Sequence, residues 1–153
     1  MTIMKRMDSS YPSHGVLNFT IESGNILVIE GHGPWNKEVF YSINTEQTSL
    51  IHSLYDKHWG VMAIFKGDAL HTPEASSLLS EIVKQDKLRG RKATALILEE
   101  SNFPDIGKQH LSEIYQKATE NYKFFNEKDE ALIWLTKQIT SSPESETINH
   151  LTH

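Results

Sequence analysis

The chain has no cysteine in its 153 residues, which excludes disulfides, thiolate zinc sites and cysteine nucleophiles. No apolar run approaches the roughly 20 residues of a membrane-crossing helix, so no membrane span is expected. Lys5 and Arg6 are not followed by an apolar segment, so no secretory signal is expected either, and the cytoplasm is the default location. Basic residues do not gather: 15 Lys and Arg are mixed among 20 Asp and Glu, for a net charge of -5. Nucleic acid therefore has no electrostatic footprint here. There is no HExxH or HxH metal spacing and no serine in a nucleophile-elbow context. Gly31-His32-Gly33 lacks the third glycine of a dinucleotide loop, and Pro34 removes a donor N–H. No cofactor, metal or catalytic residue is assigned, and a non-enzymatic protein is expected.

What is present is organised around residues 25–40. Ile26 to Ile29 is an apolar run that reads as a buried strand, broken at once by Gly31, Gly33 and Pro34, after which Asn36 opens a helix. Such strand–turn–helix joints are where α/β domains usually present ligand or partner surfaces.

The length fits one domain. Residues 1–14 read as a flexible segment, 15–140 as the folded domain, and 141–153 as a polar, disordered tail. Val16 to Ile21 alternates and predicts a half-buried strand, joined by Gly24-Asn25 to strand 26–30 as an antiparallel hairpin. The stripe Val39, Phe40, Ile43, Leu50, Ile51, Leu54 predicts a single amphipathic helix over about 36–55, with Asn36 as N-cap and Gln47 as the odd polar residue on the stripe. Val61 to Phe65 reads as a central strand covered on both faces. Thr72-Pro73-Glu74 is a helix start: a capping hydroxyl, proline at the first helical position, an acid in the first turn. Ala93 to Leu98 and Tyr122 to Phe125 are the remaining strands. A helix around Leu111, Ile114, Tyr115 and Ala118 lies between them, and Asn126 is expected to cap a last helix containing Trp134. The order ββαβαβαβα predicts a five-stranded mixed, mostly parallel sheet with about four helices.

Four features in this order carry a resemblance: Gly33-Pro34-Trp35-Asn36, Gly90-Arg91-Lys92-Ala93, Tyr122-Lys123-Phe124-Phe125, and Asp129-Glu130-Ala131-Leu132-Ile133-Trp134-Leu135. Together they resemble the SpoIIAA-like branch of the STAS superfamily, the STAS/SEC14-like domains, over about residues 15–140. The resemblance implies a regulatory or binding module rather than an enzyme. Anti-anti-sigma members bind a kinase partner and switch by phosphorylation at the start of the helix after the third strand, and SEC14-type relatives hold lipids. In this chain Thr72 falls at the phosphoacceptor position, but Leu70-His71-Thr72-Pro73-Glu74 departs from the Asp-Ser-Ser/Thr-Gly signature. The switch is therefore not carried over, and helix capping is the preferred role of Thr72.

The binding surface is expected at the carboxyl-end rim of the sheet, bordered by Gly33, Pro34, Trp35, Asn36, Asp68, His71 and Thr72. The helix starts at Asn36 and Thr72 are expected to favour an anionic head group or acidic partner, with Trp35 as the apolar contact. The expected occupant is a protein partner or a small lipid-like or anionic molecule, and a homodimer is compatible with the reading. The alternative is a small metal- or acid/base-dependent enzyme using His32, Asp68 and His71 on that rim. Solvated loop histidines are the preferred explanation of His32 and His71.

Overall fold

The computed structural model describes residues 15–141. The flexible segment expected at 1–14 and the tail expected beyond Ser141 lie outside the described residues. Strand β1 (Val16–Glu22) pairs antiparallel with β2 (Ile26–His32). Strands β3 (Trp59–Lys66), β4 (Arg91–Glu99) and β5 (Tyr122–Phe124) follow in parallel, and the sheet order is the chain order. The expected five-stranded, mostly parallel sheet is thus the observed one, with β3 at its centre.

The helix expected over 36–55 is two helices, α1 (Lys37–Tyr41) and α2 (Thr45–Leu54). The break has a local cause. Asn44 Oδ1 accepts the Gln47 N–H at 2.8 Å, and Gln47 Oε1 accepts the Asn44 N–H at 3.1 Å, a reciprocal capping box that starts a new helix. Ser42 ends the first one by turning its hydroxyl back onto the Val39 carbonyl. Gln47, odd as a member of a buried stripe, also donates through Nε2 to the Leu17 carbonyl at 2.9 Å. Its polarity serves the cap and the edge strand together.

Three helices complete the fold: α3 (Pro73–Lys87), α4 (Pro104–Lys117) and α5 (Lys128–Thr140). The last begins one residue later than expected, with Glu127 in place of Asn126 at the N-cap and no side-chain cap bond. Side chains alternate across the sheet and divide the core. Leu27, Val61, Ala63, Phe65 and Leu96 meet Val39, Leu54, Val83, Leu111 and Tyr115 from α1 to α4. Ile26, Met62, Ile64, Ala95 and Ile97 meet Ala131, Leu135 and Ile139 of α5 on the other face. Strands advance one way across the sheet, so right-handed crossovers put every connecting helix on one face. Among the described residues only α5, which follows the last strand, covers the other.

This arrangement decides the rim. Connections leaving β2, β3 and β4 all turn to the same face, so neighbouring connections diverge only between β4 and β5. Chain divergence therefore does not single out the β2–β3 rim as a ligand crevice. What distinguishes that place is a side chain, Trp35.

Candidate functional site

Trp35 lies back across the end of β2 and is 5% exposed. The two glycines ahead of it make this possible. A Cβ on Gly31 would sit 2.7 Å from both Leu17 Cδ2 and Trp35 Cη2, and one on Gly33 would sit 2.9 Å from Trp35 Cδ1. The Gly-x-Gly spacing thus makes a slot for an indole, with no third glycine needed. The Gly33–Pro34 peptide is cis. On its far side the indole stacks on His71, with ring centroids 5.1 Å apart and planes 18° from parallel, and meets the edge of Phe65 at 5.1 Å. Backbone joins the two loops as well: the Thr72 N–H donates to the Trp35 carbonyl at 2.9 Å.

Trp35 separates two spaces. Its six-membered ring, against Gly31, faces an interior cavity of about 80 Å³ between the sheet and helices α1 to α3. The cavity wall is apolar, with Phe19, Ile29, Phe40, Ile43, Ile51 and Leu79 among its residues. The pyrrole edge, against Gly33, lies on the side of an open depression of about 480 Å³ at the carboxyl-end rim. Gly33, Pro34, Trp35, Asn36, Asp68 and Thr72 border that depression, with His32 and Lys66. His71 does not border it; it lines the interior cavity.

His71 is 8% exposed. Its Nδ1 lies 3.1 Å from the Ala69 carbonyl, which can only accept, so Nδ1 carries the proton and Nε2 is a lone-pair acceptor. No donor meets Nε2, and no acceptor meets the Trp35 indole N–H. Burial holds the imidazole at a pKa of about 4, against the ordinary 6.5, so it is neutral at pH 7. Two buried polar groups without partners on one stacked pair are uncommon in a folded protein.

The other predicted rim residues are differently occupied. Asp68 does not turn toward His71. Its Oδ1 accepts the Asn102 N–H at 2.9 Å and the Ser101 hydroxyl at 3.1 Å, tying the β3 and β4 loops together. The Asn102 N–H, with help from Ser101, holds that carboxyl below its ordinary pKa. His32 is exposed at the end of β2. The triad His32, Asp68, His71 therefore does not converge, and among the described residues no three His, Asp or Glu side chains are grouped as metal ligands. Thr72 caps α3, its Oγ1 accepting the Ala75 N–H at 3.2 Å. The free amides expected at the helix starts are mostly spent. The Thr72 N–H goes to Trp35, Pro73 has none, and Ala75 is capped. Helix α1, at five residues, is too short to gather a dipole of consequence. Lys66 on the rim is paired with Glu30 at 2.7 Å, and that lysine keeps the Glu30 carboxyl below its ordinary pKa.

Two features were not singled out from the sequence. His110 of α4 accepts the His71 backbone N–H through Nε2 at 2.9 Å, and its ring lies 5.6 Å from that of His71. Its spacing from His71 shows no helical or strand period, so only the fold brings the two together. The second is a buried ionic cluster at the opposite end of the cavity. Arg91 Nε donates to Glu120 Oε2 at 3.0 Å and Nη1 to Asp86 Oδ2 at 3.1 Å, while Nη2 donates to the Thr94 hydroxyl at 2.7 Å. The Tyr55 hydroxyl donates to Asp86 Oδ1 at 3.2 Å, and the Thr94 hydroxyl to Glu120 at 2.7 Å. Burial pushes the Asp86 carboxyl up against the pull of Arg91, and pushes the neighbouring Tyr115 phenol up to about 12. The available signal was Arg91 at the start of an otherwise apolar strand.

No described helix is long and apolar enough to cross a membrane. No family model matches the chain, and neither curated proteins nor solved structures include a match to it.

Proposed function

We propose that this chain is a non-enzymatic binding module of the SpoIIAA-like STAS type, which takes a small ligand at the carboxyl-end rim. The ligand presents a carbonyl or carboxylate oxygen to the Trp35 indole N–H. That buried donor without an acceptor, beside an open depression, is the observation that carries the reading. A buried donor left unpaired costs about 1–3 kcal/mol, which a bound acceptor would recover. Gly33, Pro34, Asn36, Asp68 and Thr72 form the border, with Lys66 paired to Glu30 beside them. The element order and the four sequence features support the STAS assignment.

A protein partner is the second reading. Leu70 and Phe103, on the loops that Asp68 joins, and Ile106, in the first turn of α4, are 46%, 58% and 55% exposed, giving the same rim an apolar border.

The test is a titration with small carboxylates and acyl-chain lipids, followed by amide and indole NMR shifts. The Trp35 indole N–H should move with the amides of Gly33 and Thr72, and Trp35→Phe should abolish the response. The Trp59 indole, which donates to the Arg89 carbonyl at 3.0 Å, serves as an internal control. Shifts confined to α5 around Trp134 would remove the site from this rim.

A further inference from the structure

We infer that the apolar cavity behind Trp35 is a second binding site, for a small neutral molecule that is mostly apolar and carries one hydroxyl or N–H donor, accepted by His71 Nε2. This does not depend on the rim reading, because the indole wall divides the two spaces.

Size comes first. A cavity of about 80 Å³, at roughly 15 Å³ for each water-sized occupant, holds on the order of five non-hydrogen atoms. An acyl chain does not fit; a five-membered ring or a short branched chain does. The wall chemistry comes next. Phe40, Ile43, Ile51 and Leu79 offer only dispersion and apolar burial.

Charge excludes ionised occupants. The charged residues on the cavity are Asp86 and Arg91, and they are bonded to each other and to Tyr55, Thr94 and Glu120. A carboxylate or ammonium would enter without a counter-ion, at a large desolvation cost. At the other end the imidazole is held on every side: stacked on Trp35, edge-on to Phe65, and backed by His110. Its Nδ1–H is committed to Ala69 and its Nε2 lone pair to nothing. His110 does not supply the missing proton: its Nε2 accepts the His71 backbone N–H, which leaves its proton on Nδ1, and no donor reaches His71 Nε2. The unmet demand is therefore for one donor, on an otherwise apolar body. Water is a poor answer, because it needs two to four polar partners and this end of the cavity offers one.

Pyrrole and thiophene test this, being five-membered rings of similar size with and without an N–H donor. Each is titrated into the intact chain and followed by the methyl shifts of Ile29, Ile51 and Leu79. Pyrrole should saturate and bind roughly three- to tenfold more tightly than thiophene, the worth of one net hydrogen bond. The His71 Nε2 nitrogen resonance should move with pyrrole alone. His71→Phe should abolish the preference while keeping thiophene binding, and Ile51→Trp should block both. Should His71→Phe fail to fold, the nitrogen shift in the wild-type chain decides. Equal affinity for the two rings, an unmoved Nε2 resonance, or no saturable methyl shift would each overturn the proposal. None of these readouts reports on the rim, whose own marker is the Trp35 indole N–H.

Discussion

The indole of Trp35 and the imidazole of His71 lie stacked, 5.1 Å between centroids and 18° from parallel, although they leave different strands. The pair is both the seam between two loops and the wall between two spaces, so its packing is the first thing to perturb.

Gly31→Ala and Gly33→Ala should each cost about 1–3 kcal/mol in urea unfolding, because the added methyl must displace the indole. Neither glycine has a positive φ, so the cost is steric. In a Trp35→Phe background the Gly33→Ala penalty should shrink, since Trp35 atoms are the nearest to the added methyl. An undiminished penalty would mean that the glycine serves the backbone and not the indole.

His71 should make stability fall with acid. Its folded-state pKa, about 4, lies below its unfolded value near 6.5. Between these values the unfolded chain binds the extra proton. The contribution of the neutral ring is thus complete above about pH 6.5 and is lost as pH falls toward 4, by about 3 kcal/mol in all. His110 is the titratable group packed against the ring, and Asp86, whose carboxyl is pushed up, acts in the opposite sense at the acid end. Unfolding free energy measured from pH 7 to pH 4.5 in wild type and His71→Phe isolates the term: the variant's curve should be flatter by most of that amount. Parallel curves would show that His71 is not buried neutral.

Arg91→Met should cost about 3–5 kcal/mol, because it leaves Asp86 and Glu120 buried without their cation. The two carboxyls would then favour their protonated forms in the folded state, so the loss should be smaller at pH 5 than at pH 7. Equilibrium unfolding at the two pH values checks both the size and the sign.

Cap substitutions should separate the two helix starts that carry side-chain bonds. Asn44→Ala and Thr72→Ala should each cost about 1 kcal/mol, and Thr72→Ser much less. Gln47→Ala should exceed Asn44→Ala, since it also releases the Leu17 carbonyl of the edge strand. Stoichiometric phosphate on Thr72 in protein from its native cell would show that the hydroxyl does more than cap.

Hydrophobic period and helix-start chemistry act over a few residues, and those parts of the molecule were legible in the chain itself. The run Val61–Phe65 had to be a strand covered on both faces, and Thr72-Pro73-Glu74 had to start a helix, because the forces concerned are local. The break between α1 and α2 was half legible. Asn44 and Gln47 show capping spacing, but an apolar stripe that continues through Ile43 hides it until the sheet sets where each helix must lie. Everything that makes the site unusual was decided by tertiary structure. His71 meets Trp35 and His110, and Arg91 meets Glu120, across 29 to 39 positions of chain. No local propensity links residues so far apart. Parallel crossovers bring the loop ends to one rim, and close packing then determines which polar groups find partners and which, Trp35 Nε1 and His71 Nε2 among them, do not.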